Sequence, residues 1–411
     1  MTVMIYLTNL LRAFSMALEL SSGGLSRHHW RTALISSRIA TQLGLPFQEC
    51  RALIHAALLH DIGAASSWEE KNSLRANLPL PDYHRHAEQG YLLLKDSPTL
   101  GELACPILHH HDHWDDSDPS GLVKDDIPLI SRIINLADTC EILLSNKTFI
   151  LDQRSQILDV LISKSGTVFD PTLVKALLEV GKQESFWLDL TNPYYYETFF
   201  QNLNQFGKVR VSVDDILEFA QIFATIIDRT STFTANHSRS VAEVSAVLAQ
   251  AKKYSATEIK MMRIAGLLHD LGKLAVPNAI LEKPGKLSAY EYSVIKQHPY
   301  YTYHILSQIE GFEIIAEWAA YHHETLDGQG YPFRVEPDQI RLGSRIVAVA
   351  DIFVALSEHR PYRPPLNRQQ VQKIMYDMAD HHKLDKELVD DLWQCTELLN
   401  SPKLHQLLSF N

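Results

Sequence analysis

Apolar residues recur at intervals of three and four along most of this chain, the spacing of helices with one buried face. Leu7, Leu10, Leu11, Phe14 and Leu18 share such a face, which predicts a helix docked on a domain. Residues 51–60 and 260–269 read as two helices rich in Ala, Leu, Ile and Met, each running into a His-Asp pair. Ser255-Ala-Thr-Glu258 has the form of a capping box before the second of them. Ser288-Ala-Tyr-Glu291 repeats that form and predicts the helix that carries His298, and Asn367-Arg-Gln-Gln370 marks another start. No run of alternating β-branched residues extends far, so the predicted fold is all-α.

The pattern breaks between residues 183 and 214, which divides the chain into domains 1–205 and 206–411. The stretch containing Phe186, Trp187, Tyr194, Tyr195 and Tyr196 is too aromatic for a flexible linker and is expected to pack the two halves together.

Composition narrows the class. The chain has 411 residues, 45% apolar and 21% charged, as in ordinary globular proteins. A net charge of −11 argues against a nucleic-acid polymer as partner. Cys50, Cys105, Cys140 and Cys395 are scattered and form no CxxC pair, which reads as buried thiols in a reducing compartment. Residues 1–20 are apolar but carry Arg12 and Glu19, are short for a membrane span and lack a cleavage-site pattern. A cytoplasmic protein without a membrane anchor is expected.

The chemistry lies in a set of residues written twice. The second copy is His237, His269, Asp270, His298, His322, His323 and Asp351, with gaps of 32, 1, 28, 24, 1 and 28. The first copy is His29, His60, Asp61, His86, His110, His111 and Asp138, with gaps of 31, 1, 25, 24, 1 and 27. Imidazoles and carboxylates together suit divalent metals of intermediate hardness, and seven of them suit a pair of ions. Asp270 is placed to bridge the pair, with His269 completing one ion. Two ions about 4 Å apart would activate water and clamp a phosphoryl group. Asp351 falls in an apolar helix that would bury a carboxylate only beside a strong partner, and a metal is one. Lys273 lies one turn past the His-Asp pair, and Gly272 reads as a helix C-cap. Tyr331 projects from a turn-forming loop, while Arg360 and Arg363 flank a Pro-Tyr turn. A lone histidine usually has a structural role, and His55, His113, His304, His359, His381, His382 and His405 are read that way.

From about residue 214 to 393 the chain resembles the HD-GYP family of metal-dependent cyclic-dinucleotide phosphodiesterases. The motifs that carry the resemblance are His269-Asp270 with Gly272-Lys273, Lys283-Pro-Gly-Lys-Leu-Ser288, His298-Pro299, His322-His323-Glu324, Asp327-Gly328, Gly330-Tyr331-Pro332, Arg345 with Asp351, and Arg360-Pro-Tyr362. The resemblance implies hydrolysis of cyclic di-GMP, or of a relative such as 3′,3′-cyclic GMP-AMP, to a linear dinucleotide and onward to mononucleotides. It implies a two-ion Fe or Mn centre on the seven residues of the second copy. It makes His269, Asp270 and Lys273 the catalytic candidates, and Lys273, Tyr331, Arg360 and Arg363 the substrate contacts. A third ion in some members needs a Glu four residues before the first His; Phe233 stands there, so two are expected. Thr302 and Val354 depart from the family pattern, as does Leu384-Asp-Lys386.

The first half resembles a diverged HD domain, and Phe169-Asp170-Pro171 supports that. It has Ala64 after Gly63 in place of the lysine and no Gly-Tyr-Pro loop, so it is expected to bind metal without cleaving substrate. A regulatory or sensory role is assigned to it, with a homodimer or a protein partner as the alternative. Competing readings of the chain are a mononucleotide phosphohydrolase and a non-catalytic cyclic-dinucleotide-binding module.

Overall fold

The computed structural model describes residues 5–21, 24–25, 27–64, 84–115, 117, 120–145, 147–206, 209–230, 236–358 and 365–395. Among them the regular structure is helical, and the strands are four two-residue pieces, Ile5–Tyr6, Leu20–Ser21, Gly24–Leu25 and Arg210–Val211. The all-α expectation holds. No helix of the described residues is long and apolar enough to cross a membrane.

The chain divides into two compact units. One comprises Tyr6–Glu19 and Leu25–Val209; the other comprises Arg210–Asn411 with Met1–Ile5 and Leu20–Gly24. Each unit runs through the same order of elements. In the N-terminal unit these are helices His28–Gln42 and Phe47–Leu59, a tight turn Ile62–Ala64, then helices His84–Leu94, Gly101–Leu108 and Leu129–Ile142. In the C-terminal unit they are His237–Ala251, Ala256–Leu268, the turn Leu271–Ala275, then His298–Leu306, Glu313–Ala320 and Leu342–Ser357.

Helix Leu7–Leu18 buries Leu7, Leu10, Leu11, Phe14 and Leu18, the face read from the sequence. The aromatic stretch expected to pack the halves together forms two helices, Glu184–Asp189 and Pro193–Phe206, on which Phe186, Trp187, Tyr196, Phe199 and Phe200 are buried and Tyr194 is exposed. The Tyr196 and Phe200 rings lie 5.7 and 5.4 Å from the Trp30 ring. Trp187 Nε1 donates to the Gly181 carbonyl at 2.9 Å, and the Tyr196 hydroxyl to that of Leu190 at 2.7 Å. Buried Trp and Tyr need such acceptors, and their own unit supplies them.

The capping boxes form as written. Ser255, Ser288 and Asn367 each accept from the backbone N–H three residues on and receive the returning Glu or Gln. One expectation fails in register. The helix capped by Ser288 ends at Ile295, and His298 starts the next helix. Pro299 is the reason: it has no N–H to continue the first helix but fits the opening turn of a second.

Gly272 is not a C-cap, for its φ is not in the left-handed region. Its role is close approach. A Cβ there would fall 1.9 Å from the His298 carbonyl oxygen, and one at Gly63 would fall 1.9 Å from that of His86. In both units a glycine two residues past the Asp lets this turn pack on the backbone of the next histidine. Gly272→Ala is therefore expected to destabilise the C-terminal unit by about 1–3 kcal/mol through overpacking, and to displace His298. Urea unfolding monitored with metal content checks this; unchanged midpoint and unchanged metal would show the contact to be slack.

Candidate metal centre

The second set of seven residues converges on one buried point. Helix Ala256–Leu268 ends at His269, His322 and His323 lie in the turn Tyr321–His323 that follows helix Glu313–Ala320, helices His237–Ala251 and His298–Leu306 each begin with a histidine, and helix Leu342–Ser357 carries Asp351 on an inner turn. Asp270 lies at the middle. Its Oδ1 is 3.3 Å from His298 Nε2, while its Oδ2 is 3.1 Å from His269 Nε2 and 3.8 Å from His237 Nε2. Asp351 Oδ1 lies 3.2 Å from His237 Nε2 and 3.9 Å from His269 Nε2. The groups able to hold an ion are His237, His269 and Asp351; His269, Asp270 and His322; and His298, His322 and His323. Asp270 thus turns one oxygen toward each side of the cluster.

Three of the histidines are held by backbone carbonyls. Nδ1 of His269 donates to the Gly266 carbonyl at 2.8 Å, His298 to Ile295 at 2.8 Å and His322 to Ala319 at 2.7 Å. A carbonyl only accepts, so each Nδ1 carries a hydrogen and each ring turns its Nε2 inward. His298 and His322 bring their Nε2 atoms to 3.3 Å of each other. Among the described residues His269 Nε2, fully buried, finds no hydrogen-bond partner. Burial depresses the imidazolium, bringing His298 to about 3 and His322 to about 4, so neither ring carries the missing proton near neutral pH. Burial alone would raise the Asp270 carboxyl, yet His269 and Lys273 hold it well below the usual carboxylate range. Facing lone pairs and an ionised carboxylate fit a divalent cation.

Three partners were not visible in the sequence. Glu358 accepts from His237 Nδ1 at 2.9 Å and orients that ring. Glu324, buried beside His323, accepts from the backbone N–H groups of Phe333, Arg334 and Val335 at 2.8, 3.2 and 3.2 Å, which pins the loop carrying Tyr331. Thr302, a departure from the family pattern, donates to the His269 carbonyl at 3.1 Å and accepts from Gly272 N–H at 3.0 Å. It ties the His-Asp turn to the helix of His298.

Lys273 Nζ lies 2.5 Å from Asp270 Oδ2, beside the cluster. Tyr331 stacks on His323, centroids 4.8 Å apart and planes 28° from parallel, and its outer edge meets Tyr292 at 6.3 Å. Arg345 is structural: it donates to the Ile340 and Pro337 carbonyls. Arg360, Arg363 and Phe233 lie outside the described residues.

The first set also converges. Asp61 Oδ1 is 3.4 Å from His86 Nε2, and its Oδ2 is 3.5 and 3.4 Å from Nε2 of His29 and His60. His60 Nε2 lies 3.6 Å from Asp138 Oδ1, and Nε2 of His110 and His111 lie 3.3 and 3.0 Å from that of His86. His28, absent from the reading above, joins them: its Nε2 is 3.2 Å from Asp138 and 3.4 Å from Asp61. Its signal was present, because the gap from His28 to His60 is 32, that of His237 to His269. His55, by contrast, is a core residue paired with the Thr8 hydroxyl at 3.0 Å.

Residues 12–173 and 221–388 each match the HD domain family. Over 406 residues, 96% of this chain and 92% of the other, the sequence is 31% identical to the 3′3′-cGAMP-specific phosphodiesterase 1 of Vibrio cholerae. It is 34% identical over 304 residues, 73% of this chain and 64% of the other, to phosphodiesterase 3 of that name from the same organism. A crystal structure of a cyclic GMP-AMP specific phosphodiesterase of V. cholerae superposes with a TM-score of 0.68 at 26% identity, covering 97% of this chain and 99% of that one. The chain belongs to the HD domain family and, within it, to the HD-GYP phosphodiesterases whose motifs its second half carries. A cyclic di-GMP phosphodiesterase of Pseudomonas aeruginosa is 34% identical over a shorter stretch, 36% of either chain.

The orientation of His237 by Glu358 is testable apart from turnover. Glu358→Gln is expected to keep the fold and weaken metal affinity by roughly 10–100-fold. Titration of the stripped protein with Mn²⁺, followed by electron paramagnetic resonance, checks it; an unchanged affinity would make Glu358 a bystander.

Proposed function

We propose that this protein is a metal-dependent phosphodiesterase that adds water across a phosphodiester bond of a cyclic dinucleotide and releases the linear dinucleotide. The observation that carries the proposal is the Asp270 carboxylate, one oxygen on each side of a buried imidazole cluster, with the Lys273 ammonium beside it. The names of the relatives support it. 3′,3′-Cyclic GMP-AMP is the favoured substrate over cyclic di-GMP, because the relatives aligned over most of this chain carry cGAMP names.

His237, His269, Asp270, His298, His322, His323 and Asp351 would hold two divalent ions, Fe or Mn. Bound there, such a pair supplies Lewis acidity toward phosphoryl oxygens and activates water as nucleophile. The protein's own groups set the rest. Lys273 places a cation where negative charge builds on the phosphoryl oxygens, and it is fixed before reaction rather than recruited. Tyr331, stacked on His323 and held by the loop on Glu324, forms the wall of the site and positions the substrate. Arg360 and Arg363 are proposed as further anion contacts on sequence alone. Residues 206–411 carry catalysis and 1–205 regulate. The four cysteines are free thiols, which suits the cytoplasm.

The test is product chromatography with both cyclic dinucleotides. Mn-loaded protein is expected to yield linear dinucleotide, chelation to abolish the yield, and metal to restore it. Lys273→Ala is expected to keep its metal and lose about 10²–10³-fold in kcat. Hydrolysis that survives chelation, or an unchanged kcat in the variant, would refute the corresponding part.

A further inference from the structure

The motif Lys283-Pro-Gly-Lys-Leu-Ser288 builds a feature at the rim that the imidazole cluster does not use. Ser288 caps helix Ala289–Ile295, and Glu291 closes the box by accepting from the Ser288 N–H at 2.6 Å. The Lys283 ammonium grips the same carboxylate, 2.8 and 2.6 Å from its two oxygens. A helix of seven residues has little stability of its own, so these bonds fix its direction. Just past its other end Gln297 Nε2 donates to the Ala275 carbonyl at 3.2 Å, which ties it to the turn after the His-Asp pair. So held, the helix presents Tyr292 to the Tyr331 ring, with centroids 6.3 Å apart and planes 75° from parallel. The two tyrosines share a side-chain hydrogen bond. Tyr331 has given one face to His323, whereas Tyr292 is 47% exposed, with the Lys296 ammonium 5.1 Å from its ring centre. Holding a half-exposed ring this firmly gains little for the fold, because much of its surface stays in water.

We infer that Tyr292 is the platform on which a base of the substrate stacks, with Tyr331 as the adjoining wall of an aromatic corner, an assignment that rests on the phosphodiesterase reading above. A nucleobase offers a flat π-face and a polar edge, and two steeply crossed rings meet one face-on and the other edge-on. In a cyclic dinucleotide each base sits one sugar away from a phosphate. Two ring contacts, His323 to Tyr331 and Tyr331 to Tyr292, lead outward from the imidazole cluster in the same sense. The Lys296 ammonium steadies the platform by a cation–π contact. Tyr290 is 74% exposed on the same helix, but two positions place it about 200° round the axis from Tyr292, away from the corner. Every base has a π-face, so stacking tolerates either purine. Tyr292 therefore governs affinity for the dinucleotide and not the choice between 3′,3′-cyclic GMP-AMP and cyclic di-GMP.

The experiment is steady-state kinetics of full-length, Mn²⁺-loaded protein on both cyclic dinucleotides, with metal content measured on the same samples. Tyr292→Ala is expected to raise KM by roughly 5–150-fold on both, the range for one stacked base. Its kcat should stay within about twofold, because a base held away from the reacting phosphate binds alike in ground and transition states. Tyr292→Phe keeps the ring and should stay close to wild type, as should Tyr290→Ala. An unchanged KM in Tyr292→Ala, a Tyr292→Phe equally impaired, or a fall in kcat together with lost Mn²⁺ would overturn the inference and leave Tyr292 as packing for Tyr331. Failure of the proposed function reads differently, for wild type then cleaves neither substrate. Equilibrium dialysis with cyclic di-GMP decides in that event. Weaker retention by Tyr292→Ala keeps the platform on a site that does not hydrolyse; equal retention, or none by wild type, overturns it.

Discussion

Everything in the C-terminal unit depends on lone pairs that the protein has turned toward one another. Helix ends at Gly266, Ile295 and Ala319 take the Nδ1 hydrogens of His269, His298 and His322, which commits the opposite nitrogens to the interior. The carboxylates of Asp270 and Asp351 are buried among them. Burial keeps the His298 and His322 rings neutral, so with Lys273 the one ammonium beside Asp270 among the described residues, the cluster holds more acceptors than positive charge. A cation completes the fold as much as the chemistry. The helices bring the ligands together at their ends because that is where a side chain can leave the helix surface and its ring can still reach a free carbonyl.

The two units show what the shared frame fixes and what it leaves free. The glycine two residues past each Asp, Gly63 and Gly272, packs against the histidine that follows in both. Carboxylates brace the first histidine in both, Glu141 from three residues beyond Asp138 and Glu358 from seven beyond Asp351. The differences fall on the rim. Lys273 against Ala64, and the Tyr331 loop on Glu324 against the Trp114 segment on Val168, are changes in what a substrate would meet. The cluster recurs in both units; on the proposed reading, the groups that would grip a phosphoryl group and a base lie in the second.

The fold class and the side chains that cluster in the second unit were legible because helical periodicity and residue order survive in one dimension. Ser255, Ser288 and Asn367 announced their helices for the same reason: a cap acts over three residues. What escaped acts across space. Glu358 sits seven residues past Asp351 and reaches His237 over 121 positions, with no spacing rule to betray it. Gly272 looked like a cap, since nothing in the sequence shows that a backbone approaches its missing Cβ. His28 was hidden by its neighbour, because two adjacent histidines offer gaps of 32 and 31 and only the packed helix shows both rings turned to Asp61. The aromatic stretch at 186–200 was read as a seam between halves. Its hydrogen-bond acceptors, the Gly181 and Leu190 carbonyls, lie within its own unit.

The central claim is that Asp270 bridges two ions, and anomalous diffraction from crystals of the Mn-loaded protein tests it most directly. The account predicts two anomalous peaks in the C-terminal unit. One should lie against Oδ1 of Asp270 on the side of His298, His322 and His323, the other against Oδ2 on the side of His237, His269 and Asp351. A single peak, or two that leave Asp270 bound to neither or to one alone, would contradict it.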